Sequence, residues 1–111
     1  MEAKALAEKI VQILEDKKAK EVKCINISEV TVIADYFVIC SGTSIPHIKA
    51  LADEIEIKME EIDVELLRKE GYNSARWILL DYNSVVVHIF HEEDREFYNL
   101  ERLWSDGVLH R

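Results

Sequence analysis

Apolar positions in the first third of the chain change from helical spacing to strand spacing. Leu6, Ile10 and Leu14 recur three or four residues apart among charged positions, which predicts an amphipathic helix over residues 3–18. Residues 22–27 are rich in β-branched side chains, and residues 36–40 have no polar face. A strand without a polar face is typical of the centre of a sheet covered on both sides. We therefore expect residues 36–40 to form a central strand.

A polar turn follows this strand and leads into a second helix. Residues 41–44 read Ser-Gly-Thr-Ser, and Pro46 fits a first helical turn because its missing amide hydrogen would have no intrahelical acceptor there. Ser44 is therefore the predicted N-cap. One face of the predicted helix is apolar, and it consists of Ile48, Leu51, Ala52, Ile55, Met59 and Ile62.

Two apolar runs between residues 76 and 90 predict a hairpin with Asn83 and Ser84 in its turn. In this register each residue of one run faces one residue of the other, from Tyr82 opposite Val85 outward. One face is then apolar and reads as core, with Ile78, Leu80, Tyr82, Val85, Val87 and Ile89. The other face mixes large apolar groups with an acid and an imidazole, and it holds Trp77, Leu79, Asp81, Val86, His88 and Phe90.

The remaining pattern completes a prediction for the whole chain. Residues 65–69 are expected to form a short strand that ends before Gly71 and Asn73, and Phe97, Leu100 and Trp104 recur at helical spacing near the end. The expected order is helix, strand, strand, helix, strand, hairpin, helix. This order predicts an α/β fold with a mixed β-sheet and helices packed on it. At 111 residues, positions 1–111 are expected to form a single domain.

Composition and charge narrow the range of binding partners that we expect. The chain has 22 acidic and 14 basic residues and a formal net charge of -8. This charge favours a basic protein surface and disfavours direct, sequence-specific nucleic-acid binding. No signal peptide or transit peptide and no membrane-spanning run is evident, so we expect a cytoplasmic protein. Cys24 and Cys40 lie in apolar runs without Cys-x-x-Cys spacing, where buried, reduced thiols are expected.

The sequence gives only weak evidence for catalytic groups. The turn at residues 41–44 lies between a strand and a helix start, where free backbone amides could hold a phosphate, as in nucleotidyltransferases. Those enzymes also need two carboxylates for two metal ions. Of the nearby acid pairs, Glu54 and Glu56 point to different sides of a helix. Asp63 and Glu65 could share a face only if strand geometry begins by Asp63, so the signal is weak. A nucleotide-binding enzyme therefore remains the alternative to an interaction protein.

Histidines and cysteines give no stronger chemical signal. The four histidines have no metal-binding spacing, and a structural His88 is favoured because no nucleophile can be placed beside it. No metal or cofactor is expected. Trp77, on the mixed hairpin face, is instead the kind of side chain that anchors a protein interface.

Two groups of runs form a recognisable motif pattern. The first comprises residues 34–39, 41–44 and 47–52, which read ADYFVI, SGTS and HIKALA. The second comprises residues 77–82, 85–90 and 95–104, which read WILLDY, VVVHIF and REFYNLERLW. Together, in order and over nearly the whole chain, these runs resemble the Iojap-like family of ribosomal silencing factors. The sequence departs from the family pattern at Asn83 and Ser84, where a glycine is common, and at residues 91–93, where a proline is common.

The resemblance implies a nucleotidyltransferase-like α/β domain without nucleotidyltransferase activity. It also implies binding to the fourteenth protein of the large ribosomal subunit, which would sterically block the small subunit and repress translation when nutrients are short. Family members are often homodimers when free. Six positions take an interface role from the resemblance: Trp77, Asp81, Tyr82, His88, Tyr98 and Leu100. Of these six positions, Tyr82 fits an interface role least well, because the hairpin register places it on the core face.

Overall fold

The structure, a computed structural model, describes residues 1–95 and the backbone of residues 108–110. Its strands are β1 (Lys20–Asn26), β2 (Tyr36–Gly42), β3 (Arg68–Glu70), β4 (Trp77–Asp81), β5 (Val85–His91) and β6 (Val108–His110). Its helices are α1 (Ala3–Asp16) and α2 (Ile45–Glu61). Over these described residues the strands form one mixed sheet in the order β3-β4-β5-β2-β1-β6. The predicted α/β class with a mixed sheet is confirmed.

The centre of the sheet is the parallel pair β2 and β5. Tyr36 lies opposite Val85 and Gly42 opposite His91, while the other described strand pairs are antiparallel. All seven residues of each central strand are buried. Strands that are apolar on both faces need cover on both faces, which is why they occupy the middle of the order. The prediction of a central strand over residues 36–40 is confirmed, and the strand continues to Gly42.

Both helices pack on the same face of the sheet. The apolar side of α1 contributes Leu6, Ile10 and Leu14 to the core, and α2 contributes the apolar set predicted for it, with Ile62 only partly buried. Ser44 is the N-cap of α2, because its hydroxyl accepts a hydrogen bond from the backbone amide of His47 at 3.2 Å. The predicted cap is therefore confirmed, and α2 begins where that side chain satisfies a free helical amide.

The hairpin register is confirmed at every predicted pair from Trp77 opposite Phe90 to Asp81 opposite Val86. Asn83 takes a positive φ of 73° in the turn, a conformation that asparagine tolerates better than most residues. Its backbone amide donates to the carboxylate of Asp81 at 2.8 Å. An asparagine and a neighbouring acid thus close a turn in which a glycine would be expected.

Some predicted boundaries differ from the structure, one strand was not predicted, and one predicted helix lies outside the described residues. The helix predicted over residues 3–18 ends at Asp16, and Lys18 has a positive φ of 64° that no helix continues through. The strand predicted over residues 65–69 is Arg68–Glu70, because the amide of Val64 is still bonded to Met59 at the end of α2. The strand at Val108–His110 was not expected. The helix predicted from Phe97, Leu100 and Trp104 lies outside the described residues.

Gly71 precedes β4 and has a φ of +78°. A Cβ at this position would also collide with the carbonyl oxygen of Trp77. Gly71→Ala should therefore destabilise the protein by about 2 kcal/mol or more, because both the backbone strain and a backbone clash must be relieved. Denaturant unfolding of this variant checks the value. The neighbouring exposed position Asn73→Ala is the control, and equal stability of the two variants would contradict the assignment.

Candidate functional site

Three side chains of β4 lie on the sheet face opposite the helices. Trp77, Leu79 and Asp81 alternate along the strand with the buried Ile78 and Leu80, so they project from one face. All three are partly exposed. They are called the β4 row below. The row is the accessible part of the mixed hairpin face, since Val86, His88 and Phe90 on β5 are buried.

The next strands hold the Trp77 side chain in place. Its ring stacks on that of Phe90, with centroids 5.1 Å apart and an interplanar angle of 29°. Its indole Nε1–H donates to Nδ1 of His88 at 3.1 Å. The imidazole of His88 in turn meets the ring of Phe37 from β2 edge to face, with centroids 4.5 Å apart. Because stacking and a hydrogen bond both restrain the indole, it is presented with little conformational freedom left to lose on binding.

His88 is a neutral histidine. It is 3% exposed, and burial lowers its pKa from 6.5 to about 4. Since Nδ1 accepts the hydrogen bond from Trp77, the proton of the neutral ring lies on Nε2. Among the described residues, Nε2 has no hydrogen-bond partner. His88 thus orients the tryptophan and carries no charge near pH 7.

Asp81 places a carboxylate at the open end of the β4 row. One carboxylate oxygen accepts from the amide of Asn83, so the side chain stabilises the hairpin turn. The residue is partly exposed, and its charge stands on the same face as Trp77. The row therefore runs from a large aromatic to an acid, a combination that fits a partner with an apolar pocket and a basic neighbour.

The positions predicted for partner binding do not all lie together. Trp77 and Asp81 belong to the β4 row, and His88 lies beneath the row. Tyr82 projects from the opposite face, where it is 4% exposed and belongs to the core under the helices. The hairpin register had indicated this placement. The two other predicted positions, Tyr98 and Leu100, lie outside the described residues.

The polar turn at residues 41–44 uses much of its own hydrogen-bonding capacity. The amide of Thr43 donates to Nδ1 of His47 at 3.1 Å, which removes a donor that a phosphate would need. The hydroxyl of Ser41 is buried and accepts from the guanidinium of Arg95 at 3.0 Å. The turn is thus closed by its own side chains and by a buried arginine.

One of the two acid pairs considered for metal binding is engaged with lysines, because Glu56 pairs with Lys69 at 2.8 Å and Glu54 lies 3.9 Å from Lys58. The other pair, Asp63 and Glu65, precedes β3, which begins only at Arg68, so the strand geometry that would place both on one face is absent. In the described part of the chain, no three His, Cys, Asp or Glu side chains converge as metal ligands. The same part contains no helix long and apolar enough to cross a membrane.

Both cysteines are free and buried, as expected. Burial raises the pKa of the Cys24 thiol to about 11 and that of the Cys40 thiol to about 12. Because the thiolate is the reactive form, both side chains behave as small apolar core groups near neutral pH.

Sequence reasoning missed one contributor to this face and left another out of the predicted partner-binding positions. Leu79 stands between Trp77 and Asp81 in the β4 row, where the hairpin register had placed it, but it was not among the positions assigned to the interface. Phe37 supports His88 across the parallel pairing of β2 with β5. That contact joins residues 51 positions apart, and no local pattern in the sequence indicates it.

The fold and this face define a small α/β protein with a mixed sheet, helices over one face and a partly exposed aromatic and acidic row on the other. The chain belongs to the RsfS family, because the family model described as "Ribosomal silencing factor during starvation" matches residues 1–110. The resemblance drawn from the residues is confirmed.

Individual relatives cover nearly the same length. A ribosomal silencing factor RsfS of Halalkalibacterium halodurans is 42% identical over 107 residues, which are 96% of this chain and 92% of that protein. The RsfS of Bacillus subtilis is 37% identical over 109 residues, 98% of this chain and 92% of that protein. A crystal structure of a Chromobacterium violaceum protein superposes with a TM-score of 0.92 at 31% identity, covering 95% of this chain and 88% of that one.

The lowered pKa of His88 predicts a pH-dependent stability. Between about 4 and 6.5 the unfolded chain binds more protons at this residue than the folded chain, so stability falls as the pH is lowered. The loss attributable to His88 between about pH 7 and pH 5 should be about 2 kcal/mol. His88→Asn keeps a hydrogen-bond acceptor near Trp77 and cannot titrate, so it should lose this part of the pH dependence. Denaturant unfolding at both pH values measures the difference, and an unchanged difference in the variant would refute the assignment.

Proposed function

We propose that this chain silences ribosomes by docking on the large ribosomal subunit, through its fourteenth protein, and sterically blocking the small subunit. The observation that carries the proposal is the β4 row, in which a restrained tryptophan and an acid share a partly exposed face. The names of the relatives, ribosomal silencing factors, support the ribosome as the target.

The electrostatics of the chain agree with such a target. A formal charge of -8 repels phosphate at long range and attracts basic protein surfaces, of the kind that ribosomal proteins present. This attraction mainly accelerates encounter, whereas buried aromatic contacts slow dissociation. Asp81 therefore contributes mainly to the rate of encounter, whereas Trp77 contributes mainly to affinity by slowing dissociation.

Occlusion requires a rigid body and no reacting group. The central parallel strands and the packed helices supply the rigid body, and we assign no catalytic residue and no cofactor to the function. Docking that keeps the subunits apart represses translation, and on the family resemblance we propose that this repression acts under nutrient limitation. We further propose that residues 1–111 act as one domain in the cytoplasm, with a homodimer as the free form.

Within the docking surface we assign direct contact to Trp77 and Asp81 and a positioning role to His88. Tyr82 acts from the other face of the sheet, by packing under the helices, so its contribution to docking is indirect. Tyr98 and Leu100 are also assigned to the interface, on the family resemblance alone.

Loss of the indole should weaken docking. Trp77→Ala is expected to reduce affinity for isolated large subunits by about 2 kcal/mol or more, roughly a thirtyfold rise in Kd, because interface tryptophans are frequent anchors. Co-sedimentation with purified large subunits measures the effect. Trp77→Phe keeps an aromatic ring that can stack on Phe90 but loses the indole donor and part of the ring area, so it should bind with an affinity between those of the wild type and Trp77→Ala. Denaturant unfolding of both variants separates lost contact from lost folding. Full retention of binding by Trp77→Ala would place the site elsewhere.

Charge at the open end of the row should matter separately. Asp81→Asn keeps an oxygen that can accept from the amide of Asn83, so it tests the charge without removing the turn contact. Asp81→Lys reverses the charge and should weaken co-sedimentation more strongly, and its effect should shrink at high salt, where exposed charges are screened. Glu61→Lys makes the same charge change at the end of α2 and is the matched control. If Glu61→Lys weakens docking as much as Asp81→Lys, docking depends only on the net charge of the protein and not on the position of Asp81.

The blocking step needs its own readout. Saturating protein should prevent purified small and large subunits from associating, as followed by light scattering or by a sucrose gradient. Association that proceeds equally with and without the protein would overturn the proposed function, even if docking is observed.

A further inference from the structure

A cleft of about 360 Å³ lies between the end of α2 and the segment that leads into β3. Its walls consist of four acids, two aliphatic side chains and one phenol: Glu56, Glu60, Asp63, Glu65, Val64, Leu66 and Tyr82. Tyr82 belongs to the helix-covered face of the sheet, whereas the β4 row projects from the other face. The cleft is therefore separate from the proposed docking surface.

Tyr82 is the aromatic residue that lines this cleft. Tyr82 is 4% exposed, and its hydroxyl has no hydrogen-bond partner among the described residues. A buried hydroxyl without a partner destabilises the folded state, so such a group is expected to have a partner in some state of the protein. Burial and the nearby Glu56 carboxylate raise the pKa of Tyr82, so the hydroxyl stays protonated and can both donate and accept.

The carboxylates around the phenol are only partly neutralised. Glu56 is bonded to Lys69 at 2.8 Å, but no ion pair reaches Glu60, Asp63 or Glu65 within the described residues. The cleft also borders the C-terminal end of α2, where the helix dipole adds partial negative charge. Both features favour a cation.

We propose that this cleft binds an organic cation carried on an alkyl chain, that is, the guanidinium or ammonium of an Arg or Lys side chain or of a polyamine. The alkyl part lies along Val64 and Leu66, as the stems of long basic side chains do on apolar surfaces. The cationic N–H groups are shared among the free carboxylates and the hydroxyl oxygen of Tyr82. A hydrated divalent metal fits less well, because the two aliphatic side chains offer it no ligand.

The site is tested by isothermal titration calorimetry on the full chain with three separate probes: spermidine, a capped Gly-Arg-Gly peptide and magnesium chloride. A salt concentration of about 150 mM in the buffer suppresses diffuse attraction of the cations to the acidic surface. We expect saturable binding of spermidine or of the peptide, and the tighter of the two identifies the source of the cation. No binding of either, or magnesium binding as tight as theirs, would overturn the proposal.

Matched variants localise the binding. Glu60→Gln should raise the Kd about fivefold or more, because it removes a carboxylate that lines the cleft. Glu61→Gln makes the same change one residue further along α2, outside the cleft lining, and should leave the Kd unchanged. Equal losses in both variants would mean diffuse binding and would contradict a defined site.

Tyr82→Phe distinguishes a ligand-binding hydroxyl from a structural one. Removal of an unpartnered buried hydroxyl should leave Tm unchanged or raise it, while the Kd for the cation rises by about fivefold. A clear fall in Tm would show that the hydroxyl has an internal structural partner, and that outcome would refute its role in the cleft. Neither measurement involves ribosomes, so failure here leaves the proposed docking function untouched.

Discussion

The parallel pairing of β2 with β5 is the constraint on which the rest of the structure depends. Both strands are buried along their whole length, so each needs cover above and below the sheet. The two helices cover one face, and that choice leaves the other hairpin face to carry Trp77 and Asp81. A one-residue slip between β4 and β5 would exchange the faces of β4 and bury the acid. The proposed docking surface is thus a consequence of strand register.

How far the sequence could predict this arrangement depends on the distance over which each contact acts. The turn at Asn83 and Ser84 predicted the hairpin register, alternation along the two strands then divided the faces, and the Ser44 cap followed from local chemistry. The support of His88 by Phe37 could not be predicted, because it requires knowing that β2 and β5 are neighbours. The family resemblance supplied interface positions but not their geometry, and Tyr82 shows the difference.

Two buried polar groups without a described partner lie on opposite faces of the same hairpin. His88 gives up solvation at Nε2 so that Nδ1 can hold the indole of Trp77, and the lost hydration lowers its pKa. Tyr82 has a buried hydroxyl without a described partner and lines a cleft together with four acids. Apolar residues of similar volume would avoid both desolvation penalties. These desolvation penalties therefore occur at the two places where a site is proposed.

Opposite faces also let the two proposed sites operate together. A partner that covers the β4 row buries the side of the sheet away from the helices, whereas the cleft opens beside the end of α2. The sheet between them has central strands that are buried along their whole length, so we expect occupancy of one site to change affinity at the other only slightly. Any coupling must then be steric, through the size of what the cleft holds. A small cation bound in the cleft would leave the size of the docked protein unchanged. A basic polypeptide bound there would enlarge the obstacle that a joining subunit meets.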